Sequence, residues 1–167
     1  IGMEAVMQDI IRVGIADMNY CEAPNLITTI GLGSCVGVVL YDLSIKKCGM
    51  VHVMLPDSTK ILNNANIAKF ADPGIEALYD GFLKLGANRT RIQAKIAGGA
   101  QMFAFGNNNS MMRVGENNVA AVKEKLSQLR IPIIAEDTGS TYGRTIVFNP
   151  ETGLLNVKIV GKTEKEI

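Results

Sequence analysis

Short apolar runs of strand length alternate along this chain with two longer stretches of helical period. Ile10, Ile11, Val13 and Ile15 predict a first strand, and residues 19–25, with Pro24, read as a connection. Residues 26–30 and 36–42 predict strands on either side of Gly31-Leu32-Gly33-Ser34-Cys35, and residues 48–55 predict another after a polar connection. Residues 56–66 are polar and read as a surface loop. A helix is predicted from Asp72-Pro73, aspartate suiting the N-cap and proline the first helical position. Ile75, Leu78, Tyr79, Phe82 and Leu85 then line one face, Gly86 is placed to end it, and a helical turn over 65–71 precedes it.

Residues 92–97 predict a strand running into Gly98-Gly99-Ala100, followed by a short apolar segment (101–105) and an Asn-rich loop (107–109). Residues 116–130 form the second predicted helix, with Val119, Val122, Leu126 and Leu129 on one face. Strand character resumes at 131–135, a loop covers 136–143, and 145–148 with 154–160 make a hairpin around a longer turn. The charged residues 162–167 are expected to fray. Strands outnumber helices and several are joined by hairpin-length connections. The expected class is therefore α+β, a sheet structure covered by helices on one side.

Composition narrows the picture without changing it. At 167 residues and 47% hydrophobic content the chain can bury one core, and a single domain over 1–167 is expected, with Ile1-Gly2 ahead of Met3 set aside as a remnant. A net charge of +1 argues against a broad nucleic-acid surface, and no apolar run is long enough for direct membrane insertion. Three cysteines without a CxxC pair indicate a reduced, cytoplasmic protein, and one histidine makes a zinc site an unpromising reading. No metal or cofactor is expected.

Cys35 and His52 are the candidates for chemistry. A cysteine becomes a nucleophile where a base promotes its thiolate, and the glycines before Cys35 permit a tight turn. If residues 36–42 and 48–55 pair antiparallel, one register sets Asp42 against Lys47 and Gly37 against His52. Cys35 and His52 then share a sheet face as diagonal neighbours, with Cβ atoms roughly 7 Å apart. A slip by one residue moves His52 to the opposite face. The competing reading makes Cys35 a small buried apolar residue and His52 a structural histidine. Cys21 and Cys48 lack a comparable setting and read as structural. Gly31-x-Gly33 makes a weak dinucleotide loop, because Val36 stands where the third glycine belongs.

Four ordered motifs decide between these readings: Thr29-Ile30-Gly31-Leu32-Gly33-Ser34-Cys35, His52-Val53-Met54-Leu55-Pro56-Asp57, Lys95-Ile96-Ala97-Gly98-Gly99-Ala100 and Ala135-Glu136-Asp137-Thr138-Gly139. Together they resemble the CheD family of chemoreceptor glutamine deamidases over nearly the whole chain. The resemblance implies protein-glutamine deamidation on chemoreceptor cytoplasmic helices, with Cys35 as nucleophile, His52 as general base and acid, and Thr29 orienting the imidazole. Backbone N–H groups of Ser34 and Cys35 are the candidates for an oxyanion hole.

The resemblance further implies a layered sandwich of mixed β-sheets like the cysteine-hydrolase core of the cytotoxic necrotising factor toxins. A CheC-type phosphatase is the implied partner of a monomer that forms a heterocomplex, with Met102 and Phe103 as the expected contact. A non-catalytic module regulating that phosphatase is the alternative. The chain departs from the family at Gly115-Glu116-Asn117-Asn118, where relatives commonly carry arginine at the position of Asn117, and after Gly139, where a second glycine is often present.

Overall fold

The computed structural model describes residues 7–56, 66–102 and 113–167. In chain order the elements are β1 (Ile10–Arg12), β2 (Met18–Glu22), β3 (Leu26–Leu32), β4 (Val36–Asp42), β5 (Lys47–Val53), α1 (Ala71–Lys84), β6 (Gln93–Gly98), α2 (Val114–Gln128), β7 (Ile133–Thr138), β8 (Arg144–Asn149), β9 (Leu154–Ile159) and β10 (Glu164–Glu166). Among the described residues they build two five-stranded mixed sheets, ordered β1-β3-β8-β9-β10 and β2-β5-β4-β6-β7. Both helices cover the second sheet, as the sequence predicts for an α+β sandwich with helices on one side.

The period-two alternation of β4 and β5 makes the three layers. Val36, Val38, Leu40, Val51 and Val53 point at Ile75, Leu78 and Phe82 of α1 and at Val122 and Leu126 of α2. Val39, Tyr41, Cys48 and Met50 point the other way, into a core shared with Ile27, Ile146, Phe148 and Val157 of the first sheet. Each large apolar side chain buried there contributes about 1.5–3 kcal/mol relative to exposure. The register of β4 with β5 is the predicted one, with Gly37 opposite His52 and Asp42 opposite Lys47. The short connection after Asp42 fixes it, since Asp42 accepts from both the N–H and the hydroxyl of Ser44.

Several elements differ from expectation. The connection predicted over 19–25 contains β2, an edge strand whose Tyr20 ring stacks near Phe82 and whose hydroxyl donates to the Leu78 carbonyl at 2.9 Å. An edge strand needs only one apolar face, so Asn19 and Glu22 masked it. Phe70 rather than Asp72 is the N-cap of α1, without a side-chain cap bond, and Pro73 falls in the first turn where its missing N–H costs nothing. The turn before it is a short 3-10 turn, Ile67–Lys69. At the chain's end, residues expected to fray form β10 against β9. The predicted loop over 56–66, the apolar segment 101–105 and the Asn run at 107–109 lie wholly or largely outside the described residues.

One glycine is demanded by the meeting of strands at Cys35. Gly98 pairs with Val36, holds φ +116, and a Cβ on it would run into the Cys35 carbonyl oxygen. Gly98→Ala should therefore lower unfolding free energy by at least about 3 kcal/mol, combining backbone strain with a backbone clash. Urea denaturation checks this, and a loss below about 1 kcal/mol would show the turn to be adaptable.

Candidate active site

Three elements bring Thr29, Cys35 and His52 into one layer. His52 follows Met50 on the β5 face that looks into the inter-sheet core, and it is fully buried. Gly37 opposite it carries no side chain, and a Cβ there would meet Ile146 Cδ1 at 2.6 Å. That bare position lets the two sheets approach beside the imidazole. Thr29, from β3 of the other sheet, then reaches across, with its Oγ1 at 2.7 Å from His52 Nδ1. Cys35 immediately precedes β4, two residues from Gly37. It is half-buried and packs against the same inter-sheet core.

The hydrogen-bond directions fix the tautomer. The Thr29 hydroxyl has one proton, and it donates to the Val13 carbonyl at 2.7 Å. Toward His52 it must accept, so Nδ1 carries the ring proton and Nε2 is left with its lone pair. Nε2 is buried and has no hydrogen-bond partner among the described residues, Cys35 included. The segment between β1 and β2 locks the histidine's backbone as well. His52 N–H donates to the Asp17 carbonyl at 3.0 Å, and its carbonyl accepts from Ala16 N–H at 3.1 Å.

Electrostatics keep the pair neutral at rest. Burial pushes the His52 imidazole down to about 4. Burial also raises the Cys35 thiol above its ordinary value, an effect its own backbone N–H partly offsets. With both groups neutral at rest, the arrangement favours proton transfer during attack over a standing thiolate. Cys21 and Cys48, both buried, face one another across β2 and β5 away from this site.

Sequence reasoning overlooked two supporting residues. Asn118 on α2 is fully buried, and its Nδ2 donates to the Ser34 and Met54 carbonyls at 2.9 Å each. Its Oδ1 is buried without a hydrogen-bond partner among the described residues. The signal was present, since Asn118 stands four residues before buried Val122 on the inward face, whereas Asn117 is exposed. The expected departure from the family pattern at Asn117 thus faces solvent.

The second is Arg144, buried by the alternation of β8 with Ile146 and Phe148. Its Nε donates to Asp137 at 2.8 Å and its Nη1 to the Gly139 carbonyl at 3.0 Å, and the guanidinium lies 4.5 Å from the Tyr142 ring centre. Burial pushes the Asp137 carboxyl up, but Lys165 and Arg144 outweigh it and hold the group below its ordinary value. Met102 is 46% exposed and lies beside Gly33, while Phe103 falls outside the described residues. A cavity of about 410 Å³, lined by Gly99, Gln101, Glu116, Lys123 and Ser140 among others, lies beside the double glycine and includes neither Cys35 nor His52.

Taken together, a layered α+β sandwich packs a half-buried thiol, an oriented imidazole and a hydroxyl against one inter-sheet core. The family model described as CheD chemotactic sensory transduction matches residues 54–159. A protein of Lachnoclostridium phytofermentans named "Probable chemoreceptor glutamine deamidase CheD" is 66% identical, covering 96% of this chain and 100% of its own. Proteins named "Chemoreceptor glutamine deamidase CheD" from Halalkalibacterium halodurans and Bacillus subtilis are 53% and 46% identical, over 96% and 95% of this chain and 100% and 96% of theirs. The chain belongs to the CheD family. Among solved structures, a Bacillus licheniformis hypothetical protein, YfiH, aligns with a TM-score of 0.48 and 16% identity over 75% of this chain and 51% of its own, which adds nothing to the fold described above.

The buried imidazole carries a pH signature. His52 is held near 4 in the folded state, against about 6.5 unfolded. Between those values the unfolded chain binds a proton that the folded one refuses, so stability falls as pH drops from about 6.5 to 4. The loss reaches as much as about 3 kcal/mol. Asp42 and Asp137, whose folded values are lowered, lose their contributions only below this window. Urea titrations at pH 7, 5.5 and 4.5 should show the decline in wild type and a flatter profile in His52→Asn. Parallel profiles would contradict a neutral buried histidine.

Proposed function

We propose that this chain is a chemoreceptor glutamine deamidase, with Cys35 as its nucleophile. The observation that carries the reading is the Thr29–His52 contact, which leaves Nε2 unprotonated and unpaired in the layer that Cys35 also packs against. The names of full-length relatives supply the substrate class. Nε2 takes the thiol proton as Sγ attacks the glutamine side-chain carbonyl carbon. The C=O pair moves onto oxygen, and backbone N–H groups of Ser34 and Cys35 receive that oxyanion. The tetrahedral intermediate collapses, the C–N bond breaks, and nitrogen leaves as ammonia with the proton from His52. Water, deprotonated by the same Nε2, then attacks the thioester carbon. The C–S bond breaks, leaving glutamate and the restored thiol.

Thr29 holds the ring and its tautomer but, being neutral, stabilises the imidazolium less than a carboxylate would. The burial that depresses His52 favours return of its proton to the leaving nitrogen. The proposal includes a cytoplasmic location, where chemoreceptor helices are accessible, and a core related to that of the cytotoxic necrotising factor toxins. Among the described residues no helix is long and apolar enough to cross a membrane.

Incubation with chemoreceptor cytoplasmic fragments, read as the mass gain of glutamine-to-glutamate conversion, tests the activity. Cys35→Ala should abolish it, His52→Asn should cost at least about 100-fold, and Thr29→Val about 10- to 100-fold. Equal conversion by wild type and Cys35→Ala would sink the enzyme reading. It would leave the alternative, a non-catalytic module that controls a CheC-type phosphatase.

The phosphatase also enters the proposal as a partner of the deamidase. Met102, large, apolar and exposed beside Gly33, supports a contact at the rim of the site. Met102→Glu should weaken CheC association by about tenfold or more, since it sets a charge into an apolar contact. Unchanged affinity in a titration would remove this contact from the proposal.

A further inference from the structure

Three successive carbonyls around the nucleophile are each held by a different donor. The Gly33 oxygen accepts from Ala100 N–H at 2.8 Å, the Ser34 oxygen from Asn118 Nδ2 at 2.9 Å, and the Cys35 oxygen from Gly99 N–H at 2.8 Å. All three peptide bonds here are trans, the sole cis bond among the described residues being Ala23-Pro24. In a planar trans peptide a carbonyl and the next residue's N–H point in opposite directions. The Ser34 N–H therefore points away from Ala100, and the Cys35 N–H points away from Asn118. Neither donates to a backbone carbonyl among the described residues, and the Cys35 N–H lies against its own thiol.

Two of the three clamps are backbone groups and one is a side chain. We infer that Asn118 is the positioning residue of the oxyanion hole, fixing the Ser34–Cys35 peptide so that the Cys35 N–H faces the reacting carbonyl. The inference rests on the reading of Cys35 as nucleophile. The amide's orientation is unambiguous, because two carbonyl oxygens face one end of it and only the NH₂ end can satisfy both. Its second proton holds the Met54 carbonyl, two residues past His52. One side chain thereby ties the nucleophile's turn to the end of the histidine's strand. Gly115 brings the helix close enough, since a Cβ there would collide with the Gly99 and Ala100 carbonyl oxygens. Asn118 touches neither thiol nor imidazole in this arrangement. It acts through the peptide it holds.

Two reactions of Cys35 separate this role from a general structural one. Acylation by p-nitrophenyl acetate passes through a tetrahedral oxyanion, whereas alkylation by iodoacetamide is displacement at a saturated carbon and needs no oxyanion hole. Both are read on the full chain by the mass of the Cys35 peptide. Asn118→Leu, which keeps bulk but donates nothing, should slow acylation by about 10- to 100-fold while alkylation stays within about threefold. Asn118→Ser, able to hold one carbonyl, should fall between, and it carries the test if the leucine variant does not fold.

A parallel fall of both reactions overturns the inference in favour of a general staple, and no change in either overturns it outright. Receptor deamidation by wild type is followed alongside. Absence of wild-type deamidation with the acylation–alkylation split intact sinks the deamidase reading and leaves the role of Asn118. Wild-type deamidation without the split sinks the role of Asn118 alone.

Discussion

The hydrogen bond between Thr29 and His52 is the constraint on which the rest of the site depends, because its two ends belong to different sheets. A contact of 2.7 Å across a sandwich requires the sheets to meet closely at that point. Sheets normally pack about 10 Å apart. The chain meets the requirement with Gly37, which removes a side chain opposite His52, and the β3–β8 register shifts just beyond Thr29, before Leu32. Val13 completes the arrangement by taking the hydroxyl proton, which removes any choice of tautomer. A single buried threonine thereby sets both the angle of the imidazole and the nitrogen at which chemistry is possible.

Burial then decides how the pair rests. A histidine pushed down to about 4 does not hold a proton at neutral pH, and a cysteine raised by the same cause does not release one. A thiolate–imidazolium pair, the state often assumed for activated cysteines, is disfavoured at both partners. The neutral pair has a compensating property. In the proposed mechanism its base is free to take the thiol proton as the carbonyl carbon is attacked, and the depressed pKa makes the resulting imidazolium a strong acid toward the departing nitrogen. In the proposed deamidation a glutamine amide offers no leaving group better than ammonia, so a strong acid at that moment matters more than a standing nucleophile.

Much of this was legible in the sequence because the informative features were local. The β4–β5 register followed from a short polar connection and from alternation, since only one pairing sets Asp42 against Lys47 and puts His52 on the face of Cys35. Both long helices were readable from their apolar period. What escaped detection was non-local or one-sided. β2 and β10 are edge strands whose pairing is set by their neighbours β5 and β9, and their own residues are too polar to announce it. The partners of Asn118, Ser34 and Met54, lie far along the chain and gave no local signal, and those of Arg144, Asp137 and Gly139, stand a few residues ahead of it in a stretch read only as a loop. A polar residue in phase with an apolar face was the available clue in both cases.

These buried polar residues also explain why the departures at the start of α2 leave the site intact. Helical geometry turns successive residues by about 100°, so Asn117 and Asn118 cannot share a face. Asn117, where the chain departs from the expected family pattern, is exposed, whereas Asn118 reaches the Ser34 and Met54 carbonyls. A change at the outward position alters what the surface offers a partner. A change at the inward position would release the turn before β4 and the end of β5 together. At the end of β7 the Arg144 guanidinium pairs with Asp137, and it holds the Gly139 carbonyl directly. The departure at exposed Asn117 therefore leaves the Gly33, Ser34 and Cys35 carbonyls with their donors.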